Sequence, residues 1–172
     1  EQSFEALLQV SVAASSTLDP AQQAQLALDE TVRVLRAQRA YLFVTAPSGE
    51  LLFRAGRGAD GRDMPELRGY GRTIIESVRL AAEPLLASGS AEGQTRDQRP
   101  SAFDDSTSMI AAPLLMRGRL LGVVYVDGPR SSAEFTPEDV SILVAIASHI
   151  AIALETADAV ARQSELAQTN SE

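Results

Sequence analysis

Residues 108–127 read SMIAAPLLMRGRLLGVVYVD, two apolar runs either side of Arg117-Gly118. Residues 109–116 predict one strand and residues 119–126 a second. A two-residue connection containing Gly between such runs is the mark of a tight β-hairpin. Both faces of this hairpin are apolar, so it belongs in the middle of a sheet with cover on each side.

Downstream, Thr136-Pro137-Glu138-Asp139 places an acid three residues after a Thr, with Pro at the first helical position, and so opens a helix. That helix is apolar almost all round to Leu154, then polar and amphipathic through Val160 and Leu166. Upstream, Phe4, Leu7, Leu8 and Val12 fall at helical spacing. Asp19-Pro20 caps a second helix, running to about Arg39, whose buried face is Ala24, Leu28, Val32 and Leu35. Residues 41–46 and 51–55 form another hairpin around Pro47-Ser48-Gly49, and residues 56–71 read as a loop. A short helix over about 72–80 carries Ile74, Ile75 and Val78, residues 84–87 a brief strand, and 88–105 an irregular polar stretch. Hairpins bracketed by helices imply an α+β antiparallel sheet covered on both faces.

Composition removes whole classes of function. The 172 residues contain no Cys, which excludes disulfides, thiolate metal sites, thiol nucleophiles and thioether-linked cofactors. All 15 cationic residues are Arg against 23 acids, a net charge of −8. With no Lys there is no Schiff base and no phosphate-gripping P-loop. An acidic chain with scattered Arg lacks the basic stripe that nucleic acid or an anionic membrane demands. The apolar run 142–154, broken by Ser148-His149, reads as too short for a bilayer span. No signal-peptide pattern opens the sequence, and Glu1 in place of Met reads as the start of a segment of a longer protein.

Three motifs invite sharper readings. Residues 56–61, GRGADG, match GxGxxG after a strand. A dinucleotide fingerprint must open a helix, whereas Arg62-Asp63-Met64-Pro65 follows and the strand before belongs to a hairpin. The match is therefore accidental. His149, the only histidine, removes Ser-His-Asp and multi-His metal constellations, and reads as partly exposed or interfacial rather than a haem ligand. Asp104-Asp105, in a loop rich in Ser and Asp, reads as turn and cap chemistry rather than a carboxylate pair. No catalytic set survives, and no metal site is expected.

The blocks Ser108 to Leu114, Gly118 to Asp127, Phe135 to Asp139, Leu143 to Ala147 and Ala151 to Glu155, in that order, resemble the GAF family of small-molecule-binding regulatory domains. The resemblance implies an antiparallel sheet of about six strands. The N- and C-terminal helices pack on one face, and a pocket-forming helix and loops lie on the other. It further implies a linker helix over 1–18, a GAF core over 19–155, and a helical signalling extension over 156–172. Relatives bind cyclic nucleotides, tetrapyrroles, haem or small metabolites, or bind nothing and dimerise. The cyclic-nucleotide subfamily carries an Asn-Lys-Phe-Asp-Glu signature. Phe135 and Asp139 match it, while Asp127, Gly128 and Val140 depart from it, so the signature is incomplete. A covalently tethered bilin and cysteine-based sulfoxide reduction are both excluded by the missing Cys.

Where the family places its pocket, the ligand-binding candidates are Phe53, Arg54, Arg72, Thr73, Ile74, Ser108, Ala111 and Tyr125. A closed core with solvated arginines is the alternative. The long helix offers more apolar surface than one sheet face covers. Leu7, Leu8, Ile146, His149, Ile150 and Ala153 are accordingly expected at a dimer interface, the partner helix being residues 4–12 of the same chain or its equivalent in a second subunit. The expectation is a cytoplasmic, bacterial, non-catalytic sensor domain, homodimeric and covalently linked to an output domain, its cofactor undefined. A ligand-free dimerisation scaffold is the alternative.

Overall fold

Among the described residues, helical periodicity and turn chemistry lay down eight elements. The computed structural model describes residues 20–65, 70–89, 107–129 and 134–170, with side chains of the last helix to residue 156. The expected helix over 4–12, with Leu7 and Leu8, the Asp19 cap and the Asp104-Asp105 pair lie outside the described residues. The elements are α1 (Pro20–Leu35), β1 (Arg39–Thr45), β2 (Leu51–Gly58), α2 (Tyr70–Ala81), β3 (Leu85–Gly89), β4 (Thr107–Met116), β5 (Arg119–Pro129) and α3 (Pro137–Asn170).

The strands form one antiparallel sheet in the order β2-β1-β5-β4-β3, five among the described residues where the resemblance implied about six. The apolar hairpin is central, as expected: β5 lies between β1 and β4. Its turn uses Arg117 (φ 53°) and Gly118 (φ 78°), the double left-handed geometry that matches strand twist in a two-residue hairpin.

Because side chains alternate along a strand, the two faces build two cores. On one face Leu42, Ile110, Ala112, Leu114, Val124 and Val126 pack against α1 and α3. The α1 stripe is the expected Ala24, Leu28, Val32 and Leu35, all buried, and α3 contributes Leu143, Ile146, Ala147, Ile150 and Ala151. On the opposite face Tyr41, Phe43, Met109, Ala111, Val123 and Tyr125 pack against Ile74, Ile75 and Val78 of α2.

Helix ends follow local rules. At the end of α1, Arg36 takes a left-handed φ of 55°, with Ala37 N–H donating to Val32 O at 3.0 Å and Arg36 N–H to Arg33 O at 3.4 Å. That is a Schellman close with Arg in the place usually held by Gly. Ala82 ends α2 similarly, at φ 56°, its N–H donating to Val78 O. The cap expected at residue 136 is present. Thr136 N–H donates to Asp139 Oδ2 at 2.9 Å and Asp139 N–H to Thr136 Oγ1 at 3.3 Å.

Three expectations need correction. Helix α1 ends at Leu35 rather than near Arg39, which already opens β1. Residues 56–58 belong to β2 rather than to a loop, so the GxGxxG match begins inside an edge strand. Its glycine is there for space: a Cβ on Gly56 would stand 2.9 Å from the Tyr41 ring and 3.0 Å from Met64 O. Residues Pro137–Thr156 of α3 are, at mean hydropathy 1.6, long and apolar enough to cross a membrane, contrary to the shorter run read from the sequence. Leu143, Ile146, Ala147, Ile150 and Ala151 of that stretch are buried on the sheet, while Val144 and Ile152 are exposed.

Candidate functional site

Alternation on β1 and β5 places Arg39, Tyr41, Phe43 and Thr45 with Tyr125 and Asp127 on the α2 side of the sheet. At one end lies a buried polar cluster. Asp127, fully buried, accepts from Arg39 Nε at 3.0 Å and Nη2 at 2.6 Å, and from Tyr125 Oη at 2.7 Å. The Arg39 guanidinium also lies 5.6 Å from the Tyr41 ring centroid, and Tyr41 tilts against Tyr125 with centroids 5.9 Å apart. Burial, and then the Asp127 charge, pushes the Tyr125 phenol well above its ordinary pKa, so it stays a donor. A fork-on-carboxylate pair with a further donor leaves Asp127 well satisfied, which a buried charge requires.

At the other end of the same face stands Arg72, in the first turn of α2. Its Cζ sits 4.5 Å from the Phe43 ring centroid and its Nη2 donates to Leu51 O at 3.1 Å. Phe53 meets Phe43 edge-on at 5.9 Å. Arg72 Nη1 is buried with no hydrogen-bond partner, and so is Thr45 Oγ1. Thr45 pairs with Leu51 across the β1–β2 ladder, and Leu51 O accepts from Arg72 Nη2, so both residues neighbour Leu51.

The candidate ligand residues therefore divide. Phe53, Arg72, Ile74, Ala111 and Tyr125 share the α2 side, with Ile74, Ala111 and Tyr125 buried in its core and Phe53 and Arg72 half-buried. Thr73 is exposed, and its carbonyl accepts from Ser77 Oγ. Arg54 is exposed too; it is the extra residue where the register slips between Leu42↔Ala55 and Phe43↔Phe53. Ser108 falls on the α1/α3 side with Ile110 and Ala112, where its Oγ accepts from Phe135 N–H at 3.1 Å. Ser108 and Ala111 are three positions apart, and an odd offset along a strand means opposite faces.

Of the expected interface residues, Ile146 and Ile150 are buried in the subunit's own core, while His149 and Ala153 are half-buried. Ala153 and Ile150, with Leu154, Gln23, Ala24, Ala27 and Leu42, line a shallow apolar groove between α1 and α3. Val144 and Ile152 face outward, 37% and 53% exposed. The signature matches have roles inside the fold: Phe135 is core on the α1/α3 side and Asp139 caps α3. Among the described residues no group of three or more His, Asp or Glu could hold a metal. Sequence reasoning missed Arg39, Thr45 and Phe43. The one available signal was Asp127, a lone acid closing the most apolar strand.

A GAF domain family model matches residues 19–154. The fold is similar to the GAF domain from Acinetobacter phosphoenolpyruvate-protein phosphotransferase, with TM-score 0.69 at 14% identity over 94% of this chain and 98% of that one. It is also similar to free methionine-R-sulfoxide reductase from Neisseria meningitidis, with TM-score 0.66 at 18% identity over 92% and 91%. A third likeness is the GAF-B domain of DevS from Mycobacterium smegmatis, with TM-score 0.60 at 18% identity over 84% and 99%. Identities this low speak for the fold alone. No curated protein matches at a significant level.

Proposed function

The chain belongs to the GAF domain family, and from that premise we propose that it is a non-catalytic sensory domain. It takes up a small molecule on the α2 side of the sheet and relays the event through its terminal helices to an output domain in the same polypeptide. The observation that carries this reading is the continuity of α3. One helix of 34 residues begins at the Thr136 cap, lines the core opposite the α2 side as far as Ala151, and runs on to Asn170. At 1.5 Å per residue it is about 51 Å long. A change in β4 or β5, which separate α2 from α3, is felt by a rigid rod that leaves the domain.

The sulfoxide reductase of N. meningitidis is similar in fold, but relatives with that chemistry use catalytic cysteine, and this sequence has none. We place the domain in the bacterial cytoplasm and infer a homodimer. A second reading, a ligand-free dimerisation scaffold, is favoured by the outward Val144 and Ile152 on α3.

A thermal-shift panel of cyclic nucleotides, haem, amino acids and organic acids separates the two. A ligand at 100 times its dissociation constant adds about 2.7 kcal/mol to stability. For every hit, sedimentation must also change, because a ligand moves a helix equilibrium only by its differential affinity for two states. A panel with no shift, from a chain that dimerises all the same, leaves the scaffold reading.

A further inference from the structure

Arginine in this acidic chain is normally matched by a carboxylate. Among the described residues, half-buried Arg39, Arg57 and Arg79 pair with Asp127, with Asp29 and Asp63, and with Glu76. Arg36, Arg54 and Arg117 have no acid partner and are exposed. Arg72 alone is half-buried without one. It has a ring face, one carbonyl and an unsatisfied Nη1. A guanidinium offers five N–H donors and no acceptor, so the complement it lacks is an anion that accepts. Thr45 Oγ1, also unsatisfied, can donate to the same group.

We propose that Arg72 and Thr45 bind the carboxylate of a small organic acid. The guanidinium receives one or both carboxylate oxygens and the threonine hydroxyl donates to one of them. The apolar part of the ligand lies against Phe53, which is half-buried beside Phe43. The ligand stands in for the acid that every other half-buried described arginine finds within the protein. This rests on the sensory reading above and narrows its ligand to a class. Arg72 was already a pocket candidate; Thr45 enters because β1 alternation puts it on the α2 side, paired with Leu51, whose carbonyl accepts from Arg72 Nη2.

The test is calorimetric titration of the whole chain with acetate, benzoate and pyruvate, alongside benzamide as the uncharged counterpart of benzoate and inorganic phosphate as a tetrahedral anion. At least one carboxylate is expected to bind, benzamide not at all and phosphate more weakly. Arg72→Gln should lower carboxylate affinity by about tenfold or more, since it removes a charge-assisted pair. Thr45→Val keeps the β-branched strand residue and should weaken binding while leaving the ligand-free melting point no lower, because it deletes an unsatisfied hydroxyl. If Arg72→Gln unfolds the protein, Thr45→Val still decides. Equal binding of benzoate and benzamide, tighter binding of phosphate, unchanged affinity in Thr45→Val, or silence from all three acids overturns the proposal. Should a cyclic nucleotide or haem bind instead, the sensory reading stands and this inference falls. Should carboxylates bind through Arg72 without altering sedimentation, the inference stands and the relay falls.

Discussion

Gly122 shows how little freedom the central strand has at single positions. An alanine there would put its Cβ 2.1 Å from the carbonyl oxygen of Phe43, an atom fixed by the β1–β5 ladder. Gly122→Ala should therefore cost at least about 2 kcal/mol in denaturant unfolding, at the upper range of overpacking changes. At Asp127 the stake is charge. Asp127→Ala removes the buried carboxylate that Arg39 forks onto and that accepts from Tyr125, and should cost about 3–5 kcal/mol, whereas Tyr125→Phe removes one hydrogen bond and should cost about 1 kcal/mol. The raised Tyr125 pKa gives this cluster a pH signature. The folded state keeps a proton that the unfolded chain releases near pH 10, so the contribution is whole below about pH 10 and is lost as pH climbs above it. In an alkaline titration, the phenolate absorbance of Tyr125 should appear only together with loss of circular dichroism, and Tyr125→Phe should remove that step. The Arg39–Asp127 pairing was not legible beforehand, because the two stand 88 positions apart and only the β1–β5 register makes them neighbours.

Elements were more legible than residues wherever one physical signal dominated. The double-sided apolarity of residues 109–126 requires a buried hairpin, and Thr136 to Asp139 requires a helix start; both stand as expected. The signal failed where two demands met in one stretch. In β2 the bulge at Arg54 breaks the alternation of sides, and Gly56 and Gly58 look like loop residues although they are paired strand. Helix ends were hidden for the opposite reason, since nothing in Arg36 or Ala82 announces a left-handed backbone that usually selects glycine. Those two positions therefore carry correctable strain. Ala82→Gly should raise stability by about 1 kcal/mol, because the left-handed penalty on a Cβ exceeds the extra entropy glycine loses on folding. A lower melting temperature would mean that the αL close is not retained by the glycine variant.

For the molecule as a whole, the sheet divides the work between its faces. The α2 side concentrates aromatic rings and both polar clusters, and the α1/α3 side is almost wholly aliphatic. The candidate ligand residues fall on both sides of this division, because the family pocket brought in Ser108 with Ala111 and strand parity puts the two on opposite faces. The dimer expectation meets the same limit. The excess apolar surface of the long helix pointed to Ile146 and Ile150, but composition does not say which stripe faces the sheet, and both are core. The residues left to a partner are Val144 and Ile152, two turns apart and outward, with Ser148 between them. An aspartate at either position is solvated in a monomer and buried in a dimer formed on this stripe. Val144→Asp and Ile152→Asp should therefore leave the melting temperature of the dilute monomer within about 0.5 kcal/mol of the parent in stability terms, as exposed substitutions do. In sedimentation at high concentration the proposed dimer is expected for the parent and monomer for both variants. A dimer that survives both substitutions uses another surface of the domain.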